Sequence, residues 1–553
     1  MKRKALAMMM CVCMAASLAA CGNEKGTESS TGKDNAQAAS TESGSKEDKS
    51  EGSSDYTVTV EVFDRGNISG DYGTVLDNRW SNLLKDTAKE EAGISYDYFA
   101  IPRSEEVPKL QTLLAAGDEP DIFYTYDQKA FVNWANSGYL ADLTDYIEST
   151  EAGKVIKEKL GEDNIEAGKI NGSLYALCGK RNNLAFFSGF ARKDMLDAVG
   201  VTMDTKDGHY VMTPSQLKDA LNKIKAAGLC DYPYGFLYDE ICTKPIEGAF
   251  YKEIPYETID NLQGILDGNS FIDEGRKETI RFLNECYNDG LINPDFALLE
   301  RANLEESVAS GTVAFYTACS WYYQDKEGQN GQMEALLAEN PDAEYVAVEI
   351  VHEDETSAYY PTYSPVQAYG MISADCEDIE AALNLVAWFL SSDNAHMYAN
   401  HGIEGENYTL SESGIPVAID PDYNGKTRIN TSDLNMFTVS DPCWAGLSKE
   451  EYQKAYTETK NDNRSESVIQ CALDARNIAL SEGKYIPTVF NAEFEANIQW
   501  GTSIEENTAN LYVQSIMTSK DTFDKVYDEC YQIYMDEGAR ELIEEKIDFL
   551  KQQ

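Results

Sequence analysis

The sequence predicts an α/β protein of at least two domains, with parallel sheets covered by helices. From Tyr56 onward, hydrophobic runs with strand-like alternation take turns with runs of helical spacing, which is typical of a doubly wound parallel sheet. About 500 residues follow this point, too many for a single hydrophobic core. No segment repeats at a fixed period, so solenoids and propellers are excluded.

The first domain begins with a regular strand–helix succession. Residues 55–63 alternate and are rich in Val, which predicts a strand. Residues 77–93 have helical spacing through Trp80, Leu83 and Leu84, and Gly93 closes the helix. The elements that follow are a strand at 94–102, a helix at 105–117, a strand at 120–126 and a helix at 129–138.

Helices become more frequent after this domain. In the helix at 213–228, Thr213 is a suitable N-cap and Pro214 occupies the first helical position. Further helices are predicted at 277–292, and after a strand within 369–405. From about Trp444 the chain is mostly amphipathic helix.

The N-terminus predicts export and a lipid anchor. "MKRK" precedes a 16-residue apolar run, which is short for a membrane span but suits the core of a signal peptide. The run ends in "LAAC", which resembles a bacterial lipobox and implies a signal peptide at 1–20 and lipidation of Cys21. A plain secretory signal with a chance Cys is the alternative. No other run approaches 18 apolar residues.

Residues 21–55 then form a predicted tether, since 22–55 contain no aromatic residue and no Leu, Ile, Val or Met. Such a segment buries too little apolar surface to offset the entropy of ordering, so disorder is expected.

The amino-acid composition limits the classes of partner that the protein is expected to bind. The chain has 95 Asp and Glu against 46 Lys and Arg, a formal net charge of −49. This excess argues against nucleic acid, whose phosphates require Lys and Arg, and it weakly disfavours a strongly anionic ligand. The 12 Cys are scattered without a CxxC pair, and most of the nine after Cys21 are expected to be small buried hydrophobes.

Eight short phrases then point to a family. In chain order they are "LLAAGDEPDIFYTYD", "SGYLADLTDYI", "INGSLYAL", "FARKDMLDAVG", "TPSQLKDAL", "INPDF", "VASGTVAFYTACSWY" and "HGIEGENYTL". Together with the lipobox and the tether, they resemble the substrate-binding lipoproteins of bacterial ABC importers, the group that includes maltose-binding protein. The similarity is greatest to the larger oligosaccharide-binding lipoproteins of Gram-positive bacteria.

This resemblance implies a two-lobed, periplasmic-binding-protein-like fold (type II) with the ligand between the lobes. Lobe one would comprise 56–178 plus 361–437, and lobe two 179–360 plus 438–553. The crossing segments would fall near 178–183, 360–363 and 440–444. The implied protein is a monomer without cofactor or metal, anchored on the membrane, that passes an oligosaccharide to ABC permease subunits. The segment after Trp444 has no counterpart in maltose-binding protein.

A sugar-binding site needs aromatic rings for the apolar faces of the sugar and planar polar groups for its hydroxyls. Asp64 and Arg65 directly follow the first strand, and Trp80 opens the next helix, as either a stacking wall or a core residue. Tyr126 and Asp127 follow the third strand, at the position where sugar-binding relatives carry an aromatic and an acidic ligand residue. The other expected ligand-binding residues are Arg181, Asn183, Trp321, Tyr322 and Trp444.

Other functions were weighed on the same residues. No GxSxG, HExxH, P-loop or GxGxxG after a strand is present and the four His are dispersed, so a secreted glycoside hydrolase is least favoured. Residues 420–431 begin like a calcium loop but end in Thr431 where a bidentate Glu is needed, which favours a turn. A peptide-binding lipoprotein and a ligand-presenting receptor for a membrane sensor remain open alternatives.

Overall fold

Two β-sheets organise the chain, and each has its own hydrophobic core. The computed structural model describes residues 56–66, 68, 70–181, 184–185, 187–251, 274–319, 329–359, 361–410, 416–420, 465–486, 490 and 492–552. Residues 53–553 form one compact unit. The expectations for the signal peptide, Cys21 and the tether lie outside the described residues.

The first sheet has the strand order β2-β1-β3-β13-β6. Its strands are β1 (Thr57–Asp64), β2 (Ser95–Pro102), β3 (Ile122–Thr125), β6 (Leu177–Lys180) and β13 (Val366–Ile372). β1 runs parallel to β2 and β3, as predicted. β13 is antiparallel to both β3 and β6, so the sheet is mixed. The prediction of a parallel sheet was therefore incomplete, because β13 is contributed by a segment far along the chain that returns to this sheet from the second one.

Helices cover both faces of this sheet. They are α1 (Arg79–Ala92), α2 (Glu106–Ala116), α3 (Gln128–Asn136), α4 (Thr144–Ser149), α5 (Glu151–Leu160), α6 (Glu162–Glu166), α13 (Ile379–Ser391) and α14 (Asp393–Asn400). α1 shows why such segments fold locally. Asn78 accepts hydrogen bonds from the N–H groups of Trp80 and Ser81, and Gly93 ends the helix at φ 69°, a conformation that suits glycine.

The second sheet has the order β10-β11-β7-β12-β9-β8. Its strands are β7 (Phe187–Arg192), β8 (Asp204–Lys206), β9 (His209–Met212), β10 (Tyr234–Gly235), β11 (Phe315–Cys319) and β12 (Tyr345–Ile350). Its helices are α7 (Lys193–Ala198), α8 (Pro214–Ala226), α9 (Glu240–Glu247), α10 (Glu274–Asn288), α11 (Arg301–Ala309) and α12 (Gln329–Glu339). α8 carries the predicted Thr213 cap and Pro214, and Gln216 completes a capping box.

In the described part of the chain, two short β-ribbons lie outside these sheets, and four helices follow at the C-terminal end. The ribbons pair β4 (Lys169–Ile170) with β5 (Ser173–Leu174) and β14 (Tyr408–Leu410) with β15 (Pro416–Ala418). The C-terminal helices are α15 (Glu466–Ala479), α16 (Glu495–Met517), α17 (Phe523–Tyr534) and α18 (Arg540–Gln552). Side chains from all four join the core of the second sheet, including Ile478, Leu511, Tyr527 and Leu542. The predicted helical C-terminus is thus confirmed for these residues.

Three chain segments lie side by side where the chain passes between the sheets. The Tyr363 N–H donates to the Leu184 carbonyl oxygen (3.1 Å), and the Thr362 N–H donates to that of Tyr485 (2.8 Å). Leu184 lies one residue after the predicted crossing near 178–183, and Thr362 and Tyr363 lie within the one near 360–363; their role as crossings stays a prediction. The predicted third crossing at 440–444 lies outside the described residues. Tyr485 occupies a place beside the second crossing that the sequence did not predict.

The described cysteines behave mainly as core residues. Cys178, Cys230, Cys242, Cys286, Cys376 and Cys471 are buried and not in disulfides, as expected, and Cys530 is half-buried. Among the described helices, none combines the length and the apolar composition that a membrane crossing requires.

Candidate functional site

The carboxyl ends of β1 and β3 bring aromatic side chains together at one edge of the first sheet, and basic side chains that follow β2 and β6 join them there. We call this group the aromatic edge; its members are Phe63, Arg103, Tyr124, Tyr126 and Arg181. The ring of Phe63 lies 4.9 Å from that of Tyr124 and 6.3 Å from that of Tyr126, centroid to centroid. Phe63 and Tyr124 are fully buried, whereas Tyr126 is 37 % exposed. Tyr126 is therefore the ring of this group that a ligand can reach.

Arg103 holds the exposed ring in place. Its Cζ lies 4.9 Å from the ring centroids of both Phe63 and Tyr126, close enough for cation–π attraction to each. Its Nη1 donates to the Glu106 carboxylate (2.7 Å), and that carboxylate is buried. Sequence reasoning missed Arg103 because it follows β2, an edge strand of the sheet, and reaches the rings of β1 and β3 only in three dimensions.

Asp127 has a structural task that explains its position. Its Oδ1 accepts hydrogen bonds from the N–H groups of Lys129 (2.8 Å) and Ala130 (3.1 Å), which makes it the N-cap of α3. Asp64 likewise accepts from the Gly66 N–H (2.9 Å). Both carboxylates remain exposed beside the aromatic edge. Their predicted role as ligand-binding residues stays a prediction.

Trp80 was expected to be either a stacking wall for the ligand or a core residue, and its burial corrects the first expectation. Trp80 is 2 % exposed and belongs to the hydrophobic core on one face of the first sheet. The first turn of α1 turns this side chain inward, so the core alternative describes it. Arg65, by contrast, is exposed, and its Cζ lies 5.6 Å from the Phe63 ring centroid at the predicted edge.

Arg181 leaves the end of β6 and reaches the same edge. Its N–H donates to the Pro365 carbonyl oxygen (2.7 Å), and its Cζ lies 4.2 Å from the ring centroid of Tyr363 in the second crossing. Burial lowers the pKa of Arg181, with partial compensation from Tyr363 and Tyr126. The other predicted ligand residues, which are Asn183, Trp321, Tyr322 and Trp444, lie outside the described residues.

A cavity of about 290 Å³ opens at the carboxyl end of β10 in the second sheet. Glu247, which is 1 % exposed, lies at its base and accepts a hydrogen bond from the Tyr512 hydroxyl (2.6 Å). Lys244 Nζ and Arg276 Nε lie 3.6 and 3.5 Å from the same carboxylate. Tyr238 also lines the cavity, which thus offers rings and polar groups of the kind a sugar needs.

Sequence reasoning missed this cavity, although one local signal was present. "FLYDE" at 236–240 repeats the pattern of "YTYDQ" at 124–128, in which a Tyr–Asp pair follows a buried strand. In both places the Asp caps the next helix, Asp239 by accepting from the Cys242 N–H (2.7 Å). The other wall of the cavity comes from α10 and α16, which lie far along the chain. No local sequence pattern predicts that these helices contact residues 236–247.

Contacts between α3 and the C-terminal segment bring the two sheets' elements together. Gln128 Nε2 donates to the Phe490 carbonyl oxygen (2.9 Å), and Lys129 Nζ lies 3.4 Å from the Glu505 carboxylate. Glu505 also lines the cavity beside Glu247. The described residues contain no group of three or more His, Cys, Asp or Glu placed to hold a metal ion. Apart from Asp420, the loop at 420–431 is not among them.

Comparisons with known proteins agree with this architecture. The model of the bacterial extracellular solute-binding protein family matches residues 83–404. Lipoprotein LipO of Bacillus subtilis (strain 168) is 23 % identical over 467 residues, which cover 80 % of this chain and 84 % of that protein.

Two solved structures are similar along nearly their whole length. One is a solute-binding protein from Bifidobacterium longum infantis, described as HMO-binding and associated with an ABC transporter. It has a TM-score of 0.63 and 12 % identity, and the similarity covers 89 % of this chain and 98 % of that one. The other is an N-glycan transport solute-binding protein from Streptococcus pneumoniae, with a TM-score of 0.57, 15 % identity and coverage of 90 % and 99 %. The predicted α/β, two-lobed fold class is confirmed. The chain belongs to the bacterial extracellular solute-binding protein family, as the resemblance in its sequence indicated.

Proposed function

We propose that this protein captures an oligosaccharide between its two lobes and delivers it to the permease subunits of an ABC transporter. The observation that carries the proposal is the aromatic edge, where the ring of Tyr126 is held by Arg103 and open to a ligand. An aromatic ring supplies the apolar face that a sugar ring stacks on, and guanidinium groups supply donors for its hydroxyls. The similar structures named for glycans support the same ligand class.

The mechanism is capture by lobe closure. The three segments beside Leu184, Tyr363 and Tyr485 form the hinge, and lobe one follows the predicted ranges 56–178 plus 361–437. Lobe two follows 179–360 plus 438–553. A ligand that contacts both lobes binds the closed form better, which shifts the population toward it. The cavity beside Glu247 provides the contacts of lobe two.

The remaining expectations are parts of the same proposal. Lipidation of Cys21 after removal of residues 1–20 holds the protein on the outer face of the membrane, and 21–55 serves as the tether. The protein works as a monomer without cofactor, and it binds its ligand without catalysing a reaction. Peptide is the second ligand class, because the charged side chains of Asp64, Arg65 and Asp127 are exposed beside the aromatic edge.

A thermal-shift screen of the whole chain tests the ligand class. The panel contains host, plant and microbial oligosaccharides, with di- to hexapeptides alongside. A ligand at about 100 times its dissociation constant adds about 2.7 kcal/mol to the free energy of unfolding, so a glycan hit raises the melting temperature measurably. Shifts with peptides and none with any glycan would overturn the proposal and establish the second class.

Tyr126→Ala tests the site. Loss of a stacked ring costs about 1–3 kcal/mol, so we expect affinity for the glycan found in the screen to fall about 5- to 150-fold in isothermal titration calorimetry. Tyr126→Phe keeps the ring and should retain most of the affinity. Tyr232→Ala is the matched control, because Tyr232 is 38 % exposed and lies on the second sheet's side of the chain beside Lys225. Equal effects of the two alanine variants would remove Tyr126 from the site.

A further inference from the structure

Arg181 differs in how its charge is accommodated from those described arginines that form an ion pair with a carboxylate. The guanidinium groups of Arg192 and Arg281, for example, bond the carboxylates of Asp194 (2.7 Å) and Asp524 (2.8 Å). Arg103 of the aromatic edge likewise bonds Glu106. Among the described residues, no carboxylate forms an ion pair with Arg181. In a chain with 95 acidic residues against 46 basic ones, a guanidinium that has no counter-ion among the described residues calls for an explanation.

The immediate surroundings of Arg181 are aromatic and partly dry. Its Nε is buried and has no hydrogen-bond partner among the described residues. The groups that act on its charge are the phenols of Tyr363 and Tyr126, and burial lowers its pKa. The carboxylates nearest in sequence to the edge are engaged elsewhere, since Asp64 bonds the Gly66 N–H and Asp127 caps α3.

Burying a cation without a counter-ion costs free energy. A protein can retain such a residue where the binding of a ligand offsets that cost. The planar fork of a guanidinium matches a carboxylate in a bidentate pair. An acceptor lies nearby as well. Gln367 follows Val366, which pairs with Lys180 at the end of β6, and its Oε1 is buried without a partner among the described residues. That oxygen can accept a hydrogen bond from a sugar hydroxyl.

We propose that the oligosaccharide carries a carboxylate, as in a uronic or sialic acid residue, and that Arg181 binds this group beside the ring of Tyr126. The proposal rests on the proposed function and specifies its ligand. It reverses the expectation drawn from net charge, because the net charge of −49 is a property of the whole surface whereas Arg181 acts locally in a partly dry site. A sugar acid also suits the aromatic edge, since its ring can stack on Tyr126 while its carboxylate meets Arg181.

The test compares acidic glycans with neutral partners of the same skeleton. Titration calorimetry on the whole chain uses oligogalacturonides, alginate oligomers and sialyllactose, each against its own methyl ester. We expect one acidic glycan to bind at least about tenfold more tightly than its neutral partner. Arg181→Gln should remove this preference, so that the acidic glycan and its neutral partner bind the variant equally tightly. Arg181→Lys should retain part of it, because Lys keeps the charge and loses the bidentate fork.

Arg540→Gln is the control, since Arg540 is exposed and pairs with Asp536 within the C-terminal helices. Equal binding of acidic and neutral glycans by the natural chain overturns the carboxylate proposal and leaves the proposed function standing. Binding of peptides alone overturns both. If Arg181→Gln does not fold, the comparison of acid with ester on the natural chain decides by itself.

Discussion

Replacing Lys484 by Met removes one partner of a buried ion pair beside the proposed hinge. Lys484 Nζ lies 2.8 Å from the Glu349 carboxylate, and the two side chains are only 4 % and 1 % exposed. His209 Nε2 lies 3.0 Å from the other oxygen of this carboxylate. Lys484 immediately precedes Tyr485, which bonds Thr362 of the second crossing. The pair thus joins the third segment of the proposed hinge to β12.

The magnitude follows from what Lys484→Met leaves behind. Breaking a buried ion pair by removing one partner costs about 3–5 kcal/mol, because the other charge stays buried. Here Glu349 keeps His209 and the Ser481 hydroxyl (3.3 Å), so we expect the lower end, about 3 kcal/mol. An unfolding entropy of about 2.1 cal/mol/K per residue gives roughly 1 kcal/mol/K for about 500 residues, so the melting temperature should fall about 3 °C.

Differential scanning calorimetry and urea unfolding measure this loss. Lys551→Met is the control, because Lys551 is 56 % exposed in α18 and its pairing with Asp548 contributes at most about 1 kcal/mol. A melting temperature for Lys484→Met that equals or exceeds that of the natural chain would refute the reasoning. Such a result would mean that desolvation of the ion pair costs as much as its attraction returns.

Three further predictions concern stability. Glu349→Gln should lower the free energy of unfolding fully at about pH 7, and by less as the pH falls below 4.5, the ordinary pKa of a Glu carboxyl. Burial raises the pKa of Glu349, but hydrogen bonds from its neighbours lower it by more, so the natural chain loses this stabilisation only as the carboxylate is protonated at low pH. A loss that stays constant with pH in urea titrations would contradict this prediction. Gly538→Ala should lower the free energy of unfolding more than Gly200→Ala does in the same assay. Both glycines have positive φ, but a Cβ at Gly538 would lie 2.2 Å from Trp500 Cβ, whereas a Cβ at Gly200 meets nothing within 4 Å. Equal losses for the two variants would refute the close approach at Gly538. Trp80→Ala should lower the free energy of unfolding by about 3–5 kcal/mol, as expected of a core aromatic, and a loss below about 1 kcal/mol would restore the wall interpretation.

Local signals in the sequence predicted the elements well, because their causes are local. Thr213 and Pro214 started a helix where the capping pattern required it, and Gly93 ended one. The ends of β1 and β3 were also predictable, since parallel strands of one sheet place their carboxyl ends together. Tyr126 therefore lies at the predicted edge.

Contacts between distant segments could not be predicted in this way. Trp80 opens a helix whether it faces solvent or core, and only the packing of α1 on the sheet decides between them. An Asp between a strand and a helix, such as Asp127, can bind a ligand or cap the helix, and the sequence pattern is the same for both roles. Arg103 reaches Tyr126 from a neighbouring strand. The cavity at Glu247 needs Tyr512, which lies more than 260 positions away along the chain.

A crystal structure of the whole chain with the tightest-binding glycan of the screen would show where the ligand lies. We expect a sugar ring stacked on Tyr126, a polar group of the sugar within hydrogen-bond distance of Arg181, and contacts from the cavity beside Glu247 on the other proposed lobe. A glycan seated away from Tyr126 and Arg181 would contradict the assignment of the site. A peptide in the same place would contradict the ligand class.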